Sequence, residues 1–213
     1  MSGAINLSAV GPGFEHPALE SQRIYRRLLD AMARPGRLQD LSEAPAPPAG
    51  LLRPSAGIAL TLFDFETRVW LDPALRGGDS EAWLRFHCSC PLTDEASIAA
   101  FALVVDATGM PPLDAFDCGD VRYPDRSTTL VVQLPSLVDG TVIHLGGPGI
   151  DGRTQVAPAG LPENFWEQIE ANHANFQLGV DLFLVDHERV LGLPRSARRV
   201  EADAACSPGP SAH

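Results

Sequence analysis

No lysine occurs in this chain; all 16 of its basic residues are arginine. That absence excludes two common chemistries. A pyridoxal phosphate enzyme anchors its cofactor as a Schiff base on a lysine, and a Walker-type phosphate loop depends on one. Any phosphate bound here must be met by guanidinium forks, backbone N–H groups or a metal. Cysteine is also scarce. Cys88, Cys90, Cys118 and Cys206 are too few in 213 residues to make a disulfide framework, and Cys88 and Cys90 lie too close to bridge comfortably. Reduced thiols in a cytoplasmic protein are the expectation. Long apolar runs are missing as well. The longest, Ile98 to Val105, falls far short of the roughly 20 residues that span a bilayer. Met1 to Phe14 lacks the basic and apolar regions of a signal peptide, so no membrane role is expected. Positive charge is outnumbered, with 27 acids against 16 bases and a net charge of −11. Such a surface repels nucleic acid.

What is present suits a folded domain. Hydrophobic residues make up 45% and charged residues 20%, enough to bury a core. We expect a loose N-terminus over 1–13, one domain over 14–201 and a small, polar, disordered tail over 202–213. Pro17 fits the first turn of a helix. Tyr25, Leu28, Leu29 and Met32 recur at helical spacing and predict its buried stripe, ended by Pro35-Gly36. A short strand around Arg37 to Leu41 and a proline-rich loop follow. Pro54 and Ser55 open a second helix that is apolar on most faces. Arg68 to Leu71 reads as a strand, and Ser80 as the cap of a short helix through Phe86. Ile98 to Val105 and Thr128 to Leu134 read as strands. Pro111-Pro112 to Gly119 reads as a turn with room for a short helix. Thr141 to Leu145 pairs with Arg153 to Ala157 as a hairpin. Pro162 opens a helix with Phe165, Trp166, Ile169 and His173 on one face. Val180 to Val185 and Arg189 to Leu193 form a second hairpin, turning at Asp186-His187-Glu188. Interleaved helices and strands predict an α/β class, a three-layer α/β/α sandwich on a sheet that the two hairpins make mixed.

Few motifs carry chemistry. Gly147-Pro148-Gly149-Ile150-Asp151-Gly152 has the letters of a dinucleotide fingerprint, but that motif must open a helix. Arg153 to Val156 favours a strand, and Asp151-Gly152 is a hairpin-turn pair, so a tight glycine turn is the better reading. His87-Cys88-Ser89-Cys90 offers soft ligands, but no second pair completes a zinc site. His144 reads as a hydrogen-bonded core residue. Asp181 interrupts an apolar strand, where a carboxylate needs a partner; an arginine or a cleft could supply its surroundings. Arg85 and Arg195, beside Phe86 and Pro194, could bind phosphate, anchor a subunit or form plain surface ion pairs. No nucleophile, base and oxyanion arrangement emerges. The site candidates are therefore Arg85, His87, Gly147, Asp181 and Arg195, for phosphate binding or subunit contact, with no catalytic residue and no metal ligand.

A set of segments in order resembles one family. Tyr25-Arg26-Arg27-Leu28-Leu29-Asp30-Ala31-Met32-Ala33-Arg34-Pro35-Gly36 is similar to the opening helix of the PhnH family. Leu60-Thr61-Leu62-Phe63-Asp64 with Val69-Trp70-Leu71, Leu84-Arg85-Phe86-His87, Leu145-Gly146-Gly147-Pro148-Gly149-Ile150, Leu178-Gly179-Val180-Asp181-Leu182 and Leu193-Pro194-Arg195-Ser196 follow in the family's order. The likeness runs from about Phe14 to Glu201. Gln177 and Ser196 depart from it, standing where the family often has proline and threonine. The resemblance implies a fold like that of pyridoxal-phosphate-dependent transferases without the cofactor, and no other cofactor. It also implies a subunit of the carbon–phosphorus lyase core complex, with PhnG, PhnI and PhnJ as partners and a homodimer when isolated. That system transfers an alkylphosphonate to the ribose of a nucleoside triphosphate with release of adenine. The alternative is a stand-alone phosphonate- or nucleotide-binding protein.

Overall fold

The computed structural model describes residues 11–201. The expectations for residues 1–10 and 202–213, the disordered tail among them, lie outside the described residues. Its elements, in chain order, begin with α1 (Pro17–Ala33), β1 (Gln39–Asp40), α2 (Arg53–Leu62), β2 (Val69–Leu71), α3 (Asp79–Cys88), β3 (Leu92–Thr93) and β4 (Phe101–Val104). They continue with β5 (Thr129–Gln133), β6 (Ile143–Gly146), β7 (Thr154–Val156), α4 (Phe165–Ala174), β8 (Asp181–Val185), β9 (Arg189–Leu193) and β10 (Arg198–Val200). Short 3-10 turns fill several connections.

The central sheet has seven strands in the order β1-β9-β8-β5-β4-β2-β3. Pairing is parallel from β3 through β8 and antiparallel at β8–β9 and β9–β1. The sheet is thus mixed, as expected, but only the β8–β9 hairpin makes it so. The β6–β7 hairpin instead pairs with β10 in a separate three-stranded antiparallel sheet.

Alternate residues of the central strands feed two cores, as the two-residue period of a strand requires. Val69, Leu71, Leu103, Val131, Phe183 and Val185 pack under α1, α2 and α3. Trp70, Ala102, Leu130, Val132, Leu182 and Leu184 face Phe165 and Ile169 of α4, together with Ile143, Leu145 and Val156 of the small sheet. The three layers are therefore helices, sheet, and a mixed layer of one helix and a small sheet, in place of helices alone on both faces.

Two further expectations are corrected. The buried face of α1 is Ile24, Leu28 and Ala31, whereas Tyr25 is 48% and Leu29 51% exposed. The helix lies so close to its neighbours that the inward face needs small residues. A Cβ at Gly192 of β9 would sit 2.5 Å from the Ala31 carbonyl oxygen, and one at Gly57 of α2 3.0 Å from the Ile24 Cδ1. Ser80 does not cap α3. Gly78 is the N-cap, and the Ser80 hydroxyl donates to the Ala49 carbonyl at 2.6 Å, tying α3 to the preceding loop. Residues 11–13 dock on α3. The Trp83 Nε1 donates to the Pro12 carbonyl at 3.2 Å, and the His87 Nε2 lies 2.9 Å from the Gly11 carbonyl oxygen.

Candidate functional site

Asp181 and Arg195 come together at the start of β8. The Arg195 Nε lies 3.2 Å from Asp181 Oδ1, and its Nη2 lies 2.5 Å from Oδ2. The Arg195 backbone N–H also donates to Asp181 Oδ1, at 2.8 Å. The second N–H of Nη2 is held by the Ser127 hydroxyl. Nη1 donates to the carbonyls of Pro124 at 2.8 Å and Gln177 at 3.4 Å. A guanidinium has five N–H donors, and here every one has an acceptor within this chain. The side chains are 13% and 23% exposed. Of the two surroundings open to Asp181, it has the arginine, Arg195, and in this conformation Arg195 has no donor left for a phosphate.

A groove of about 540 Å³ lies between α4 and the segment 112–118, lined by Leu113, Asp114, Cys118, Asn164, Gln168 and Asn175 among others; the Arg195 charge reaches its Cys118. Its walls are pinned from below. The Asn172 amide pairs with both backbone groups of Val180, at 2.8 and 2.9 Å. A Cβ on Gly179 would press to 2.5 Å from Asn172 Oδ1, so only glycine fits there. The Gln168 Oε1 accepts from the Leu113 N–H at 2.8 Å, fixing the opposite wall to α4. The size and mixed apolar and amide lining suit a small-molecule cleft. Its charge is wrong for an anion, because Asp114 is its one ionic wall residue and no arginine lines it. Burial and the carboxylates of Asp117 and Asp114 push the Cys118 thiol up, keeping it protonated and poorly nucleophilic near neutral pH.

The other candidates lie elsewhere. Arg85, on α3, is 55% exposed and directs Nε and Nη2 to Glu81 Oε1 at 2.9 Å, an i,i+4 surface pair. His87 sits against the rings of Trp83 and Phe86, both at centroid distances of 4.9 Å, and holds the segment around Gly11. Gly147 occupies the β6–β7 turn with φ +138°, where a Cβ would lie 2.6 Å from the Ser196 carbonyl oxygen. The glycine-rich motif is thus a hairpin turn pressed against its own chain. The five candidates fall in three places and converge only at the Asp181–Arg195 knot. Cys88 and Cys90 are buried and free at the end of α3. A hydrogen bond with Cys90 and burial push the Cys88 thiol up, while the same bond pulls Cys90 down. Among the described residues, no three His, Cys, Asp or Glu side chains gather as a metal site. A pyridoxal phosphate has no lysine to receive it.

Sequence reasoning missed the amides Asn164, Gln168 and Asn172. Their one signal was polar side chains on the solvent turn of an otherwise apolar helix, which ordinarily marks only an exposed face.

The family model of "Bacterial phosphonate metabolism protein (PhnH)" matches residues 12–200. The chain belongs to the PhnH family. A PhnH-family relative from Rhizobium meliloti (strain 1021), the alpha-D-ribose 1-methylphosphonate 5-triphosphate synthase subunit PhnH, is 43% identical over 185 residues, covering 87% of this chain and 92% of that protein. A putative C-P lyase subunit protein, HtxG, from Stutzerimonas stutzeri is 31% identical over 180 residues, 84% and 85% of the two chains. The PhnH match spans every helix and strand described above.

Proposed function

We propose that this chain is a subunit of the carbon–phosphorus lyase core complex, supporting transfer of an alkylphosphonate to the ribose of a nucleoside triphosphate with release of adenine. The observation that carries this reading is likeness over nearly full length on both sides to a subunit named for alpha-D-ribose 1-methylphosphonate 5-triphosphate synthesis. The chemistry of the groove agrees with a supporting role. It holds a protonated thiol, amides and one carboxylate, with no base oriented on a nucleophile. The transferase and lyase steps then belong to companion subunits, PhnG, PhnI and PhnJ, and a homodimer forms when those are absent. We also infer a relationship to the pyridoxal-phosphate-dependent transferase fold. A mostly parallel seven-stranded sheet covered on both faces supports it, as does the lack of any lysine for that cofactor. A cytoplasmic setting fits the free Cys88, Cys90 and Cys118. Among the described residues, no helix is long and apolar enough to cross a membrane.

Contact with companions has surface available. Tyr25 and Leu29 lie one turn apart on the outward face of α1, and exposed aromatic side chains are typical anchors of protein interfaces. Of the sequence candidates, Arg85 and His87 remain our choice for subunit contact or for phosphate recognition in a shared site, since α3 leaves the Arg85 guanidinium accessible.

The test is adenine release by the complex reconstituted from purified subunits, with and without this chain. Release should fall when the chain is left out and return when it is added. Arg85→Ala should reduce release while leaving the complex assembled. Unchanged release without the chain would remove the reading. The alternative, a stand-alone phosphonate- or nucleotide-binding protein, rests on the size of the α4 groove. Turnover or tight nucleotide binding by the chain alone would favour it.

A further inference from the structure

Two sequence motifs that the proposed function leaves unused meet in space. The first is Arg34-Pro35-Gly36-Arg37 at the end of α1. The second is the β6–β7 turn, Gly149-Ile150-Asp151-Gly152-Arg153. Glycines on both sides make the approach possible. Gly149 has φ +83°, and a Cβ there would lie 2.1 Å from the Ala33 carbonyl oxygen. Gly36 has φ +85°, and a Cβ there would lie 2.4 Å from Thr154 Cγ2. Arg34 and Arg37, and Arg153 more than a hundred residues further along the chain, thereby line one open cleft of about 230 Å³ with Pro35, Asp151 and Thr154.

Three guanidinium groups against one lining carboxylate make this a positive spot on a chain of net charge −11. Arg34 is paired with Asp30, which damps its charge. Asp30 also accepts from Gln39 Nε2, so that pair is fixed in place. Arg153 has an interaction of its own within the chain, whereas no hydrogen bond or ion pair engages the Arg37 side chain among the described residues. A plain helix-end role would account for one arginine near the negative pole of α1. It does not account for a third brought in by a glycine-fitted turn from the other sheet. The cleft volume exceeds several times the roughly 30 Å³ that one water occupies in the liquid, so a tetrahedral oxyanion fits.

We propose that this cleft binds a phosphoryl or phosphonyl oxyanion through Arg37, with Arg34 and Arg153, each already engaged within the chain, as further partners. Forked guanidinium groups match the spacing of such oxygens. The site lies apart from the α4 groove, so it stands whether or not the chain works inside a complex.

The test uses the full chain and calorimetric titration with inorganic triphosphate at low salt. Wild type should bind. Arg37→Ala and Arg153→Ala should each weaken binding about tenfold, the loss of one charge-assisted contact. Arg122→Ala, at an exposed arginine that does not line the cleft, should change nothing. Competition then separates the sources. Displacement by methylphosphonate assigns the cleft to a phosphonate, and displacement by ATP alone to a nucleotide's phosphate chain; either supports the proposal. Absence of binding by wild type, or equal binding by wild type and the folded Arg37→Ala and Arg153→Ala variants, overturns it. Assembly with the companion subunits, followed in parallel by size exclusion, reports on the complex separately.

Discussion

Arg195→Ala removes five donors from one point of the structure. Asp181 loses its charge partner, and Ser127 and the carbonyls of Pro124 and Gln177 lose theirs. Breaking a fully buried ion pair on one side costs about 3–5 kcal/mol. Here the two side chains are 13% and 23% exposed, so water reaches part of the orphaned carboxylate. A loss of about 2–3 kcal/mol follows from that partial rehydration. For a chain of this size the melting temperature should drop about 4–12 °C. Arg195→Lys should recover little, because an ammonium has three donors and cannot span Asp181, Ser127 and both carbonyls together. Thermal and urea unfolding followed by circular dichroism would measure the effect, and Asp181→Asn completes a double-mutant cycle. The coupling should exceed about 0.5 kcal/mol. Arg195→Ala unfolding within about 0.5 kcal/mol of wild type, the range of an ordinary surface change, would refute the reasoning.

Other outcomes follow from single features. Gly149→Ala meets both a left-handed φ and the Ala33 carbonyl, and should destabilise by about 2–4 kcal/mol in urea unfolding. Asp186 is buried, which opposes its charge, but hydrogen bonds from the Arg189 guanidinium and the N–H groups of Glu188, Arg189 and Leu137 outweigh that and hold its carboxyl below the usual range. Its stabilising contribution is complete above about pH 4 and disappears as pH falls through its lowered folded value, so Asp186→Asn should flatten that part of an acid-unfolding curve. His87→Ala frees the segment at Gly11; proteolysis should cut near residues 11–13 faster, with the melting temperature of the body little changed.

Some of this was readable in the chain and some was not. The β8–β9 hairpin was plain, because two apolar runs flank Asp186-His187-Glu188, and the apolar neighbours of Asp181 left an arginine partner or a cleft open, of which the arginine is present. The facing of α1 was not. Its contact with β9 depends on Ala31 and Gly192, and small residues at a close approach look like weak hydrophobic signal, while the bulky Tyr25 and Leu29 draw attention to the wrong side. β10 was hidden because Arg198-Arg199-Val200 has no apolar alternation. It forms by pairing with β6, a contact about fifty residues away. That pairing also removed the β6–β7 hairpin from the main sheet. The α4 groove escaped notice because its amides come from one helix and its far wall from a loop near Leu113, and single-chain periodicity does not report on such meetings.

Size-exclusion chromatography with light scattering, on this chain co-expressed with the PhnG, PhnI and PhnJ proteins of the same organism, tests the central reading most directly. Co-elution at the mass of a multi-subunit assembly is the expected result. A chain that elutes by itself, with the other three assembled without it, would contradict it.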